Sequence, residues 1–182
     1  MTIRDRRIQH EWDFLLELAS ANPASVSSAC RRTVPDGTVF EFLLSKTSAL
    51  ITFPPMMKVI TEHRVCLKFV HFFPAVPMEI FLQRPVFHPN VHPTNGFVCL
   101  WDRFSPGDSV IAAVAKLQQL LVWKLHNATA DHVMQPQALA LADRLQVPLP
   151  YTPLRISTEL QDEIEFRGSF RKGSRKRLSE LL

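Results

Sequence analysis

The sequence predicts an α+β domain: an N-terminal helix, a four-stranded antiparallel meander, a long ordered loop, and C-terminal helices. Three features of the chain point to it. Apolar residues step by three and four between Ile3 and Ala19, then four segments alternate apolar and polar residues between turn signals, and then a strongly apolar run follows a Ser-Pro-Gly-Asp-Ser break. With 182 residues, 46% of them hydrophobic and 21% charged, there is material for one ordinary core and no need of a second.

Taking the elements in order, Ile8, Trp12, Leu15, Leu16 and Ala19 form the apolar stripe of the first helix, and Arg6, Arg7, Glu11, Asp13 and Glu17 fall largely on the rest of the wheel. Asn22-Pro23 ends it. Strands are expected at Val26 to Arg32, Thr38 to Ser45, Glu62 to Val70 and Pro77 to Arg84, with Pro35-Asp36-Gly37 turning the first into the second. Phe40, Phe42 and Leu44, then Val65, Leu67 and Phe69, then Met78, Ile80 and Leu82 would share one face. Cys66 points the other way with Arg64 and Lys68. Ser105-Pro106-Gly107-Asp108-Ser109 reads as a break and N-cap before a helix from Val110 to Trp123, and a further helix is expected from Pro136 to Leu145 with proline in its first turn. Pro148, Pro150 and Pro153 make a stiff link to a short amphipathic stretch in which Ile156, Leu160 and Ile164 share a face. The division expected is therefore a domain over 1–147, and over 148–182 the link, the short helix and a basic tail.

Composition narrows the function classes. The formal charge of +4 resembles a nucleic-acid signal only until it is located. Arg167, Arg171, Lys172, Arg175, Lys176 and Arg177 outweigh it, so the rest of the chain is slightly acidic. With Phe170 alone for stacking and no recognised nucleic-acid fold around it, this stretch is expected to be a mobile or docking tail, with neither specific nucleic acid nor membrane as its partner. No apolar run approaches a membrane span, and Cys30, Cys66 and Cys99 form an odd set without close pair spacing. A soluble, cytoplasmic protein with reduced thiols is the expectation.

Chemistry concentrates in Phe87-His88-Pro89-Asn90-Val91-His92-Pro93-Thr94-Asn95-Gly96-Phe97-Val98-Cys99-Leu100-Trp101. A His-Pro-Asn turn precedes Cys99 and a helix start follows it, which puts one thiol on a loop beside an amide side chain. A thiolate attacks a thioester readily and leaves readily, so such a cysteine suits an acyl relay better than serine would. A structural buried cysteine is the alternative. A metal site from His88, His92 and Cys99 lacks an evident fourth ligand, so no metal is expected.

Helix, meander, His-Pro-Asn and Cys loop, then helices, resembles the ubiquitin-conjugating enzyme family over roughly Ile3 to Leu145. Phe73-Pro74 with Pro77 is similar to the family's Tyr-Pro and Pro punctuation, Phe87-His88-Pro89-Asn90-Val91 to its His-Pro-Asn signature, and Gly96-Phe97-Val98-Cys99-Leu100 to its Gly-x-hydrophobic-Cys-Leu; Ser105-Pro106 resembles its Ser-Pro. The departures are a shortened stretch after Cys99, Phe104 where relatives usually carry Trp, and Thr94-Asn95 lengthening the loop. The chain thus resembles a divergent member. Its 14 Arg against 7 Lys, with abundant Ala, Leu and Pro, suits a GC-rich, bacterial genome, where conjugation-like operons with their own modifiers occur as a class.

The resemblance implies the ubiquitin-conjugating-enzyme fold and a transferase in which Cys99 accepts a ubiquitin-like modifier from an activating enzyme and passes it to an amine, a lysine, of a target protein. It implies no bound cofactor, ATP being used by the activating enzyme. Asn90 could donate to the oxyanion formed as lysine attacks, where losing one donor costs on the order of 100-fold in rate, or could hold the loop. His88 is expected to bond loop backbone. Asp131, in Asn127-Ala128-Thr129-Ala130-Asp131, fills the place where relatives carry an acid that helps the amine lose its proton, with Asp102 as a second acid. Arg4, Arg6 and Arg7 match the basic end of the first helix that engages the activating enzyme, a solvated face being the alternative. A non-catalytic modifier-binding module of the same fold is the competing function, although such relatives lack the cysteine. A cysteine hydrolase would need His92 or His88 as its base.

Overall fold

The computed structural model describes residues 2–52, 58–101, 104–127, 133–142 and 148–156. Helix α1 (Ile3–Ala21) starts at a Thr2 capping box, in which the Thr2 hydroxyl accepts from the Asp5 N–H and the Asp5 carboxylate accepts from the Thr2 N–H. Its buried face is Ile8, Glu11, Leu15 and Leu18, with Trp12 and Ala19 packed at its margins. This corrects the stripe drawn from the sequence at two positions. Leu16 is 44% exposed and Leu18 takes its place, while Glu11 lies fully buried.

Glu11 is buried because it has work at a distance. Its Oε2 accepts from the main-chain N–H of Val110 at 2.6 Å, and its Oε1 pairs with Arg7 at 2.7 Å one turn back. Burial nevertheless pushes its carboxyl upward, against the pull of those two partners. The carboxylate thereby joins α1 to the positive end of the next helix.

Strands β1 (Val26–Val34), β2 (Gly37–Leu50), β3 (Val59–Val70) and β4 (Glu79–Leu82) form one antiparallel sheet in the order β1-β2-β3-β4. The register pairs Phe40 with Leu67 and Phe42 with Val65, then Val65 with Leu82 and Leu67 with Ile80. All the residues assigned to the inner face are therefore buried together, and a fully buried Phe or Leu contributes roughly 1.5–3 kcal/mol relative to exposure. Phe40, Phe69 and Phe73 stack in a row, with centroids 4.5 and 4.9 Å apart. The Phe73-Pro74 peptide is cis. Cys66 lies half-buried on the other face between Arg64 and Lys68, as the alternation requires.

Helix α2 (Val110–Leu121) is capped by the Ser109 hydroxyl, which accepts from the Ala112 N–H, and is buried over most of its surface against β2 and α1. It stops two residues before the expected Trp123, which takes a positive φ of 67° and turns the chain away. Helix α3 (Pro136–Ala142) begins at Pro136 as expected; the expected final turn to Leu145 lies outside the described residues.

Beyond it, 148–156 does not leave the surface. At the bulge where Lys46 has a φ of 56°, Ser48 donates to the Pro150 carbonyl and Thr152 to that of Lys46. Gln118 of α2 spans the seam, its Nε2 donating to Thr47 Oγ1 and the Thr152 carbonyl while its Oε1 accepts from Leu154 N–H. Leu154 is buried in the main core. The amphipathic stretch through Leu160 and Ile164 and the tail at 167–177 fall outside the described residues.

Candidate active site

The loop that carries the thiol is held from β4. Leu82 donates to the Gly96 carbonyl at 2.9 Å and Val98 to that of Ile80 at 2.8 Å, so Gly96-Phe97-Val98 lies along the strand edge. The rings of Phe81 and Phe97 meet with centroids 5.6 Å apart. Only glycine fits at position 96: its φ is +70°, and a Cβ there would sit 2.0 Å from the Leu82 carbonyl oxygen.

The His-Pro-Asn turn is fastened to the same loop. Cys99 N–H donates to the Asn90 carbonyl and the Asn90 Nδ2 donates to the Cys99 carbonyl, both at 2.8 Å. Asn90 Oδ1 accepts from the main-chain N–H of Asn127 at 2.8 Å, and the Asn90 side chain is only 2% exposed. One short amide thus ties the turn, the cysteine and the chain after α2 into a unit. The Asn127 Nδ2 in turn approaches Cys99 Sγ at 3.5 Å, and the thiol is half-buried.

His88 is fully buried. Its Nδ1 accepts the Asn90 N–H at 3.1 Å, and its ring stacks edge-on against Trp123 at 4.6 Å. The proton therefore belongs on Nε2, which faces the Leu125 carbonyl without reaching good hydrogen-bond geometry. Burial, with His126 nearby, pushes the imidazole down to about 3. Such a ring is neutral throughout the physiological range and braces the turn.

This arrangement of sheet, loop and helices is that of known proteins. Among solved structures the chain is similar to the Trypanosoma cruzi protein described as a ubiquitin conjugating enzyme, with 18% identity over 79% of this chain and 93% of that one and a TM-score of 0.55. It is similar also to Ubc12 of S. cerevisiae, with 15% identity over 86% of each chain and a TM-score of 0.50. The chain has the ubiquitin-conjugating-enzyme fold. No protein-family profile matches the sequence, and neither does any curated protein.

Within the ubiquitin-conjugating fold, the structure brings Cys99, Asn90 and His88 together and sends His92 elsewhere. His92 Nδ1 accepts from the N–H groups of Thr94 and Asn95, closing its own turn. Both loop histidines thus use Nδ1 on backbone, and among the described residues no three His, Cys, Asp or Glu side chains group as a metal site. Asp131 and Asp102 lie outside the described residues.

The arginines of α1 divide. Arg4 donates to the carbonyls of Phe69 and Val70, and Arg7 pairs with Glu11 and reaches the Asp108 carbonyl, so both are used inside the fold. Arg6 is exposed.

Two polar residues of the site had no signal in the sequence. Gln135, 8% exposed, donates through Nε2 to the carbonyls of Val86 and Val91, clamping both ends of the His-Pro-Asn turn. Asn127 stood in the segment read for its acid; its main chain reaches Asn90 and its side chain reaches Cys99.

Proposed function

We propose that this protein is a transferase that carries a ubiquitin-like modifier as a thioester on Cys99 and passes it to an amine, a lysine, of a target protein. The observation that carries the reading is the placement of Cys99: a half-buried thiol on a loop braced by Asn90 and Gly96, in the ubiquitin-conjugating fold. An activating enzyme, using ATP, supplies the modifier.

In charging, Cys99 Sγ attacks the modifier's C-terminal carbonyl and the activating enzyme's sulfur leaves. In transfer, the lysine nitrogen attacks the same carbon and Sγ leaves with the bonding pair. Asn90 acts chiefly as the brace that sets the Cys99 backbone. That role is supported by its side-chain bonds to Cys99 and Asn127, and its remaining Nδ2 hydrogen is the one it could offer to an oxyanion. Asp131, with Asp102 as second choice, is the acid proposed to assist loss of the amine proton. Of the three arginines, Arg6 is the one whose side chain remains outside for an activating enzyme. A cytoplasmic setting is part of the same proposal, since an odd set of cysteines without close pair spacing suits a reducing compartment.

The test is a non-reducing gel of the protein with ATP, a ubiquitin-like modifier and its activating enzyme. A shifted band that vanishes with reductant, and becomes reductant-stable in Cys99→Ser, is expected. A modifier-binding module would hold the modifier without any such band.

A further inference from the structure

We infer that the side-chain amide of Asn127 is a catalytic hydrogen-bond donor to Cys99 Sγ, stabilising the thiolate as it attacks and again as it leaves. The inference rests on Cys99 being the reacting thiol. Its geometric basis is a closed circuit. Cys99 is fixed to Asn90 by two backbone-directed bonds, Asn90 Oδ1 receives the Asn127 main-chain N–H at 2.8 Å, and Asn127 Nδ2 returns to Sγ at 3.5 Å. The donor is therefore positioned by its own backbone, whose anchor is a side chain 2% exposed.

The chemistry favours discrimination. A neutral thiol is a weak acceptor, whereas a thiolate accepts roughly twice as strongly as a neutral group, so a contact of 3.5 Å in the resting protein strengthens as charge grows on sulfur. During charging, the Sγ–C bond forms and the activating enzyme's C–S bond breaks. During transfer, the lysine N–C bond forms, the C–Sγ bond breaks with its electron pair remaining on Sγ, and the amine proton passes to a base or water. In both steps the Asn127 amide meets the sulfur while it is anionic, and being uncharged it leaves no like charge to repel an incoming lysine.

Asn127→Ala removes the amide and retains the main-chain N–H that bonds Asn90, so it separates sulfur chemistry from loop bracing. The experiment measures the rate of iodoacetamide alkylation of Cys99 against pH in a Cys30→Ser/Cys66→Ser background, with thermal melting as a folding control. The midpoint is expected to rise by about 0.5–1 pH unit in Asn127→Ala, a roughly 3–10-fold loss of thiolate at neutral pH, with melting unchanged. Asn127→Asp should raise it further, since a carboxylate beside sulfur opposes a second negative charge. Superimposable profiles for the parent and Asn127→Ala would overturn the inference. Alkylation needs no modifier, so it decides Asn127 even where thioester formation fails and the carrier reading falls. Where the thioester does form, its discharge onto free lysine should slow about 10–100-fold in Asn127→Ala.

Discussion

Asn90 holds Asn127 by its main chain: the Asn127 N–H donates to Asn90 Oδ1 at 2.8 Å, across a separation of 37 residues. The amide that the loop sequence offers to chemistry is thus already engaged on its oxygen, and on its nitrogen by the Cys99 carbonyl. The His-Pro-Asn turn acts as a bracket between the cysteine and the chain after α2.

Asn90→Ala should therefore lower stability as well as activity. It removes both part-buried bonds of the amide, to the Asn127 N–H and the Cys99 carbonyl, and losing a partner in such a bond costs about 1–3 kcal/mol. Urea unfolding is expected to give a loss of about 2–4 kcal/mol, where Asn127→Ala gives little. A variant with unchanged stability and slowed discharge would move Asn90 from bracket to oxyanion donor.

Gly96→Ala tests how firmly β4 sets the thiol. The φ of +70° alone costs a non-glycine residue about 1–3 kcal/mol, and the methyl at 2.0 Å from the Leu82 carbonyl must push the loop off the strand. A drop in unfolding free energy above about 2 kcal/mol is expected, together with altered Cys99 alkylation. A parent-like result on both counts would mean that the loop does not depend on this close approach.

His88 predicts a pH dependence. Its folded value, about 3, lies below the ordinary 6.5, so the unfolded chain takes up a proton that the folded protein refuses. Stability is complete above about pH 6.5 and falls as pH drops toward 3, at up to about 1.4 kcal/mol per unit from this group. The unfolding free energy of the parent should fall between pH 6.5 and 4.5 more steeply than that of His88→Gln, which has no ring to protonate. Equal slopes would show that His88 takes up its proton in the folded state as well.

The sequence made the meander legible because period-two alternation at Phe40, Phe42 and Leu44 and its counterparts reports which face is buried, and a sheet face is a local property. Cys99 and its turn were legible for a similar reason: their spacing is local. Glu11 was not, because its partner Val110 lies 99 residues away and a charged residue on a helical wheel looks solvated until the other helix end arrives. Gln135 and Asn127 escaped likewise, their contacts with the loop spanning 44 and 28 residues without any local pattern. The proline link read as a spacer, since nothing in Pro148 to Pro153 announces that Gln118 and the bulge at Lys46 will bind it.

The most direct measurement of the central claim is intact-mass and peptide-mapping mass spectrometry of the protein after incubation with modifier, activating enzyme and ATP, under non-reducing, mildly acidic conditions. The account predicts one modifier per chain, joined through its C-terminal carbonyl to Cys99, released by thiol and absent in Cys99→Ala. A thiol-labile adduct that persists in Cys99→Ala, or one mapped to Cys30 or Cys66, would contradict it.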